Sequence, residues 1–375
     1  MLRFSDMRLT KWTGLLLFVV SCNIAHAQVT GGRFAMEFLR MPNSPHISAL
    51  GGTNVSNPEP DIAFALQNPA LMRAGLHNQL GLNYNSYYAG INVMNLNYGY
   101  NVEKLKTAFV FGVQYFNYGN FEQTDNIGNQ YGSFKASDYA ITLGASRQYK
   151  EKWRYGASLK WANSALYDKR ASALLADVGI SYHDTVNLIT VAAVAKNMGF
   201  MVRKYNPSGS SEPLPFDLQI GISKRFKHLP LRLMATAHHL YEWDIRYNNP
   251  ADIEATNLFG SQDTTADNKS YFADKLFRHL NFAAELTLGK RLTLIAGYSH
   301  LRRRELSLKD KPALAGFSMG ASIYLNKFQI HYARSYYHVS GAYNEFGLNF
   351  SMNKLFNLGK TGEKIHWNAD YSDWQ

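Results

Sequence analysis

Apolar and polar positions alternate along most of this chain. In "WRYGASLKWAN", Trp153, Tyr155, Ala157, Leu159 and Trp161 fall on one face, with Arg154, Gly156, Ser158 and Lys160 on the other. A period of two is that of a β-strand. In "PFDLQIGISKR", Phe216, Leu218, Ile220 and Ile222 alternate with Asp217, Gln219, Gly221 and Ser223, and "EFGLNFSM" at 345–352 repeats the pattern. About fourteen such segments follow residue 77, near 78–87, 90–100, 107–117, 137–149, 153–163, 173–183, 187–197, 215–225, 231–240, 279–288, 291–301, 314–324, 327–336 and 342–352. Each is roughly ten residues long, the length a tilted strand needs to cross a bilayer. The pattern predicts an all-β fold, a transmembrane antiparallel barrel of about 14 strands over residues 77–352.

Connections between these segments support that reading. Those after even-numbered strands are short ("KEK", "HDTV", "FKHLP", "GK", "LN"), while 118–136, 198–214 and 241–278 separate other pairs by long stretches. Short turns on one side and long loops on the other are the habit of outer-membrane barrels. All eleven prolines fall outside strand interiors, where a missing N–H would break the ladder. A soluble sandwich also shows alternating strands, but its strands usually run about five or six residues. Its apolar faces, which here end in Trp153, Trp161, Tyr98 and Tyr100, would have to meet a second sheet.

The first 76 residues lack this alternation. Arg3, Arg8 and Lys11 precede the apolar run "WTGLLLFVV" and then "SCNIAHAQ", so residues 1–27 read as a secretory signal peptide cleaved after Ala27. The competing reading is a lipoprotein signal with Cys22 as the lipidated residue. Cleavage after Ala27 leaves no cysteine, which excludes disulfides, thiol catalysis and thiolate metal sites. Residues 28–76 contain "AFALQNPALM" at 63–72, apolar but too short to span as a helix. Pro69 holds Asn68 extended and can start a short helical turn. This segment can plug the barrel lumen or extend as a periplasmic arm. Residues 353–375 form a C-terminal tail whose Trp367, Tyr371 and Trp374 suit partner docking.

Composition agrees with a barrel: 24 Tyr, 22 Phe and 28 Gly accompany only 18% charged residues. Loss of Arg3, Arg8, Lys11 and Asp6 with the signal lowers the formal charge from +11 to +9. Such a surface favours anionic headgroups, lipopolysaccharide included, and an exported chain is not expected to meet nucleic acid.

No constellation carries convincing chemistry, and neither a cofactor nor a metal is expected. "GFSMG" at 316–320 matches a nucleophile pattern, but Ser318 lies inside an alternating strand where the pattern needs a sharp strand-to-helix turn. Adjacent His238 and His239 on a strand would face opposite ways, and His331 would join Gln329 in a lumenal polar network. Asp263, Asp267 and Asn268 lack the glycine and closing glutamate of a calcium loop. Inward Arg154, Lys160, Asp177, Asp217, Arg232 and Glu285 carry both signs and are expected to pair across the interior. Arg302, Arg303 and Arg304, with Lys309 and Lys311, form a basic rim whose guanidinium groups suit lipopolysaccharide phosphate.

The stretches "FLRMPNSPHISALGG" (38–52), "LQNPALM" (66–72) and "HNQLGLNYNSYYAGIN" (77–92) resemble the PorQ family of the type IX secretion system. That family is related to FadL-type outer-membrane proteins, whose fourteen-stranded barrel is closed by an N-terminal hatch with an Asn-Pro-Ala motif. Asn68, Pro69 and Ala70 match that motif. The resemblance covers about 55 residues. It implies a hatch over 28–76 and a non-enzymatic role in organising the surface attachment complex, which links secreted cargo to anionic lipopolysaccharide. Expected partners are outer-membrane lipid, lipopolysaccharide and a surface protein of that complex. The competing function is a FadL-like transporter of hydrophobic small molecules, which needs an apolar path past the hatch.

Overall fold

The computed structural model describes residues 32–209, 211–245, 272–306, 314–338 and 341–356. The expected signal peptide with Cys22, residues Asp263, Asp267 and Asn268, Lys309 and Lys311, and Trp367, Tyr371 and Trp374 of the expected tail lie outside the described residues.

Fourteen antiparallel strands follow residue 78. The first seven are β1 (Gln79–Ser86), β2 (Asn92–Val102), β3 (Thr107–Thr124), β4 (Gln130–Tyr149), β5 (Trp153–Leu166), β6 (Lys169–Asp184) and β7 (Ile189–Arg203). The second seven are β8 (Asp217–Arg225), β9 (Leu231–Ala237), β10 (Leu280–Leu288), β11 (Leu292–Ser299), β12 (Phe317–Tyr324), β13 (Phe328–His338) and β14 (Gly341–Ser351). Each pairs with its sequence neighbours, and β1 pairs with β14 to close the barrel. Closure leaves no unpaired edge, the condition for a sheet in hydrocarbon. No helix among the described residues is long and apolar enough to cross a membrane.

Alternation sets the two faces of the wall. On β5, Trp153, Tyr155, Leu159 and Trp161 point outward and stay exposed, while Arg154, Ser158 and Lys160 point inward and are buried. On β8, Ile220 and Ile222 are exposed and Asp217, Gln219 and Ser223 buried. No second sheet covers the outer face among the described residues, so the soluble-sandwich alternative fails and the apolar exterior has the pattern of a lipid-facing wall.

Expectations about strand ends change at the β3–β4 hairpin, at β7, which runs past 197 to Arg203, and at β9, and a bulge interrupts β7. Residues 118–136 are not a loop: β3 and β4 extend as a hairpin that turns at Asp125, whose carboxylate accepts the Ile127 and Asn129 amides at 2.9 and 2.8 Å. Most side chains there are exposed on both faces, so the alternation that marks a half-buried strand is missing. β9 ends at Ala237, short of His238, because His239 adopts φ 55 and turns the chain away. His238 and His239 therefore do not face opposite ways; their Nδ1 atoms lie 2.6 Å apart. On β7 a bulge opposite Asp177 interrupts the register. It turns the consecutive residues Lys196 and Asn197 both inward.

The hydrophobic core lies inside the barrel, around residues 34–76. Ile47, Ala49, Leu50, Phe64 and Leu71 pack on Met234, Ala283, Ile295 and Ala333 of the wall. Ile62, Ala65, Met72 and Leu76 pack on Ala108 and Val110, and Phe38 and Leu39 on Val93, Phe116 and Leu175. Burying a Leu, Ile or Phe side chain is worth about 1.5–3 kcal/mol, which explains why a segment without strand pattern settles within the wall.

Candidate functional site

The turn at residues 68–71 is built by its own side chains. Asn68 is extended, with Pro69 as the first residue of a 3-10 turn through Leu71. Its Oδ1 accepts the Ala70 amide at 3.0 Å, and its Nδ2 donates to the Val55 carbonyl at 3.0 Å. One carboxamide thus caps the turn and ties it to an earlier stretch of the segment. The wall makes room with glycine. A Cβ on Gly179 would overlap Asn68 Oδ1, and one on Gly156 would sit 2.6 Å from Pro69 C and 2.7 Å from its oxygen. On the opposite wall, a Cβ on Gly320 would lie 2.6 Å from Ala49 Cβ.

Inward charges form two pairs, but between neighbouring strands of the wall and not across the interior as expected. Lys160 Nζ lies 2.5 Å from Asp177 Oδ2, and Arg232 Nη1 is 2.7 Å from Glu285. Asp217 instead accepts the His239 amide at 2.7 Å and the Gln219 amide at 2.6 Å. Arg154 donates to Gln148 Oε1 at 3.0 Å. The N-terminal segment joins these pairs: Lys196 donates to Gln67 at 2.6 Å, Arg232 also reaches Glu59 at 2.6 Å, and Ser48 donates to Glu345 at 2.6 Å.

At the centre His46 stands between two carboxylates, its Nε2 2.8 Å from Glu285 and its Nδ1 3.4 Å from Asp61. Burial works against the imidazolium, but the facing carboxylates of Asp61 and Glu285 outweigh it and raise the His46 pKa to about 10. His331, singled out for a polar network, sits in one: Nδ1 is 2.7 Å from Ser322 Oγ and Nε2 is 3.2 Å from Gln329 Oε1. Among the described residues, His46, Asp61 and His331 form a group with ligand atoms within 4.8 Å of one another. His46 and Asp61 carried no chemical signal in the sequence, because neither belongs to a metal-ligand or catalytic pattern or to an alternating strand.

Elsewhere the candidates separate. Ser318 is a lumenal hydroxyl that donates to the Ala49 carbonyl at 3.0 Å. The three arginines lie within a short helix (His300–Leu306) but do not converge. Arg302 lies 3.7 Å over the Tyr337 ring, Arg303 donates to the Ala315 carbonyl at 3.4 Å, and half-exposed Arg304 pairs with Asp274 at 3.0 Å. Two cavities inside the wall, about 110 and 30 Å³, are bordered by polar groups such as Lys196, Asp217, Gln219 and Thr142. Both fall short of the roughly 300–1,000 Å³ of small-molecule pockets. A groove of about 720 Å³ lies on the outer wall, lined by Leu82, Tyr84, Met94, Leu96, Tyr115 and Phe346 among others.

No family model matches the chain, and no curated protein matches it. Several solved outer-membrane barrels are similar in shape. A deletion mutant of the monoaromatic hydrocarbon channel TodX has 15% identity and a TM-score of 0.46, with 83% of this chain and 97% of that chain covered. The monoaromatic hydrocarbon channel CymD gives 13% identity, a TM-score of 0.46 and coverages of 84% and 97%. A FadL homologue of Pseudomonas aeruginosa gives 10%, 0.42, 82% and 96%. Scores and identities this low carry nothing about activity from those channels to this chain.

Proposed function

We propose that this chain is an outer-membrane barrel closed by its own N-terminal segment, acting as a non-enzymatic component of a type IX secretion system. The observation that carries the closed state is the filled lumen. Residues 34–76 occupy it with apolar clusters and buried ion pairs, and the two cavities bordering them are small, with linings that mix polar and apolar groups. A conduit for greasy molecules needs a continuous apolar lining, which Lys160, Asp177, Arg232 and Glu285 oppose. The secretion system itself rests on the resemblance of residues 38–92 to the PorQ family. Under this reading the barrel organises a surface attachment complex, and Arg304 is the arginine best exposed to lipopolysaccharide phosphate.

The second reading is a transporter of hydrophobic small molecules. The apolar groove on the outer wall favours it, but transport then requires the N-terminal segment to move. Purification of the tagged protein from its own outer membrane, with mass spectrometry of co-eluting proteins and lipids, separates the two. A stoichiometric surface protein with lipopolysaccharide supports the first. A lone barrel loaded with a hydrophobic molecule refutes it in favour of the second.

A further inference from the structure

We propose that His46, Asp61 and His331 form a buried site for one divalent transition ion of the zinc type, which fastens the N-terminal segment to the barrel wall. The three residues come from the helical turn Pro45–Ala49, from a bend fifteen residues later, and from β13. All are nearly or fully buried, at 1%, 2% and 1% exposure. Their ligand atoms lie within 4.8 Å of one another, and His46 Nδ1 and Asp61 Oδ2 are 3.4 Å apart. Tetrahedral ligands about 2.0–2.2 Å from zinc lie about 3.3–3.6 Å apart, a separation the His46–Asp61 pair meets.

The surroundings are built as a metal site is built. In such sites the atom of each ligand that faces away from the ion is held by a further hydrogen bond, which fixes the tautomer and aims the ligand. Here His46 Nε2 is held by Glu285 at 2.8 Å, and His331 Nδ1 by Ser322 Oγ at 2.7 Å. Asp61 Oδ1 accepts the Ala63 amide and Asn349 Nδ2, both at 3.0 Å. The atoms turned toward the shared centre are the other three: His46 Nδ1, Asp61 Oδ2 and His331 Nε2. Two of them, His46 Nδ1 and Asp61 Oδ2, are buried and have no hydrogen-bond partner; they meet only each other, at the 3.4 Å of an ion pair. Unsatisfied buried polar atoms are costly, and an ion between them removes that cost.

One contact must yield. Asn349 Nδ2 lies 3.1 Å from His331 Nε2, but it keeps Asp61 Oδ1 and, at 3.2 Å, Gln329 Oε1 as acceptors. Gln329 Oε1, 3.2 Å from His331 Nε2, is placed to supply an oxygen as fourth ligand. Two imidazoles with a carboxylate suit zinc and its neighbours better than calcium or magnesium, which take oxygen alone.

The test uses the whole protein, purified in detergent, stripped by unfolding in chelator and refolded with zinc. Metal content by mass spectrometry and zinc-edge X-ray absorption are the readouts. The expected result is one zinc per chain with two imidazoles and oxygen in its shell. His331→Gln and Asp61→Asn are expected to abolish stoichiometric zinc, and Ser322→Ala to weaken it about 10–100-fold. His279→Gln, which lies outside the cluster, should leave it unchanged. Wild-type protein that refolds with less than a tenth of an equivalent, or a shell without imidazole, overturns the proposal whether or not any variant folds.

Discussion

The fit of Asn68 against the wall can be tested by a double-mutant cycle with Gly179. Asn68→Ala removes the cap on the Ala70 amide and leaves the buried Val55 carbonyl without its donor. Losing such a cap costs about 0.5–2 kcal/mol, and an orphaned buried acceptor about 1–3, so about 2–4 kcal/mol is expected. Gly179→Ala alone drives its methyl into Asn68 Oδ1, with Asn68 Cγ at 3.0 Å. Overpacking of this kind costs about 1–3 kcal/mol. The two changes share one cause. With the carboxamide gone, the next neighbour of the new methyl is Pro69 Cδ at 3.4 Å, an ordinary contact. The double variant should therefore cost little more than Asn68→Ala alone, a coupling about as large as the Gly179→Ala penalty. Hydrogen exchange over residues 64–72 in detergent gives the opening free energy for each corner of the cycle. Penalties that simply add, within about 0.5 kcal/mol, would refute the close packing argued here.

Gly156→Ala meets backbone instead, Pro69 C at 2.6 Å and Ala70 N at 2.8 Å. No second change at Asn68 should rescue it, and limited proteolysis should cut the N-terminal segment faster than in the parent. Arg232→Gln leaves Glu285 and Glu59 without their shared guanidinium; breaking a buried pair costs about 3–5 kcal/mol, read as a lower denaturant midpoint, and unchanged stability would contradict the burial. Leu159→Arg, at an outward position 61% exposed, should cost about 2–4 kcal/mol in lipid if that face meets the bilayer midplane. The same change should be nearly silent if the face meets water, so folding yield into vesicles decides. Arg304→Gln should reduce co-purified lipopolysaccharide more than Arg302→Gln, because Arg302 is turned onto Tyr337; equal losses would contradict that assignment.

The strand plan was legible in the sequence because each wall residue has one of two environments, and the alternation in "WRYGASLKWAN" records which. Fourteen strands and the tight turns after the even ones follow from that record and from proline placement. Where both faces are wet, as over 118–136, the record is blank and the extended hairpin looks like a loop. The bulge that turns Lys196 and Asn197 inward together, and the positive φ that ends β9 before His238, are equally silent, since each depends on what the opposite strand offers. The path of residues 34–76 and the meeting of His46, Asp61 and His331 were decided by tertiary structure alone. Those three come from separate stretches of chain, and only closure of the barrel around the segment puts their ring nitrogens and carboxylate within one ion's reach. Local pattern encodes which face a side chain takes; which distant side chain it meets there is set by how the enclosed volume is filled.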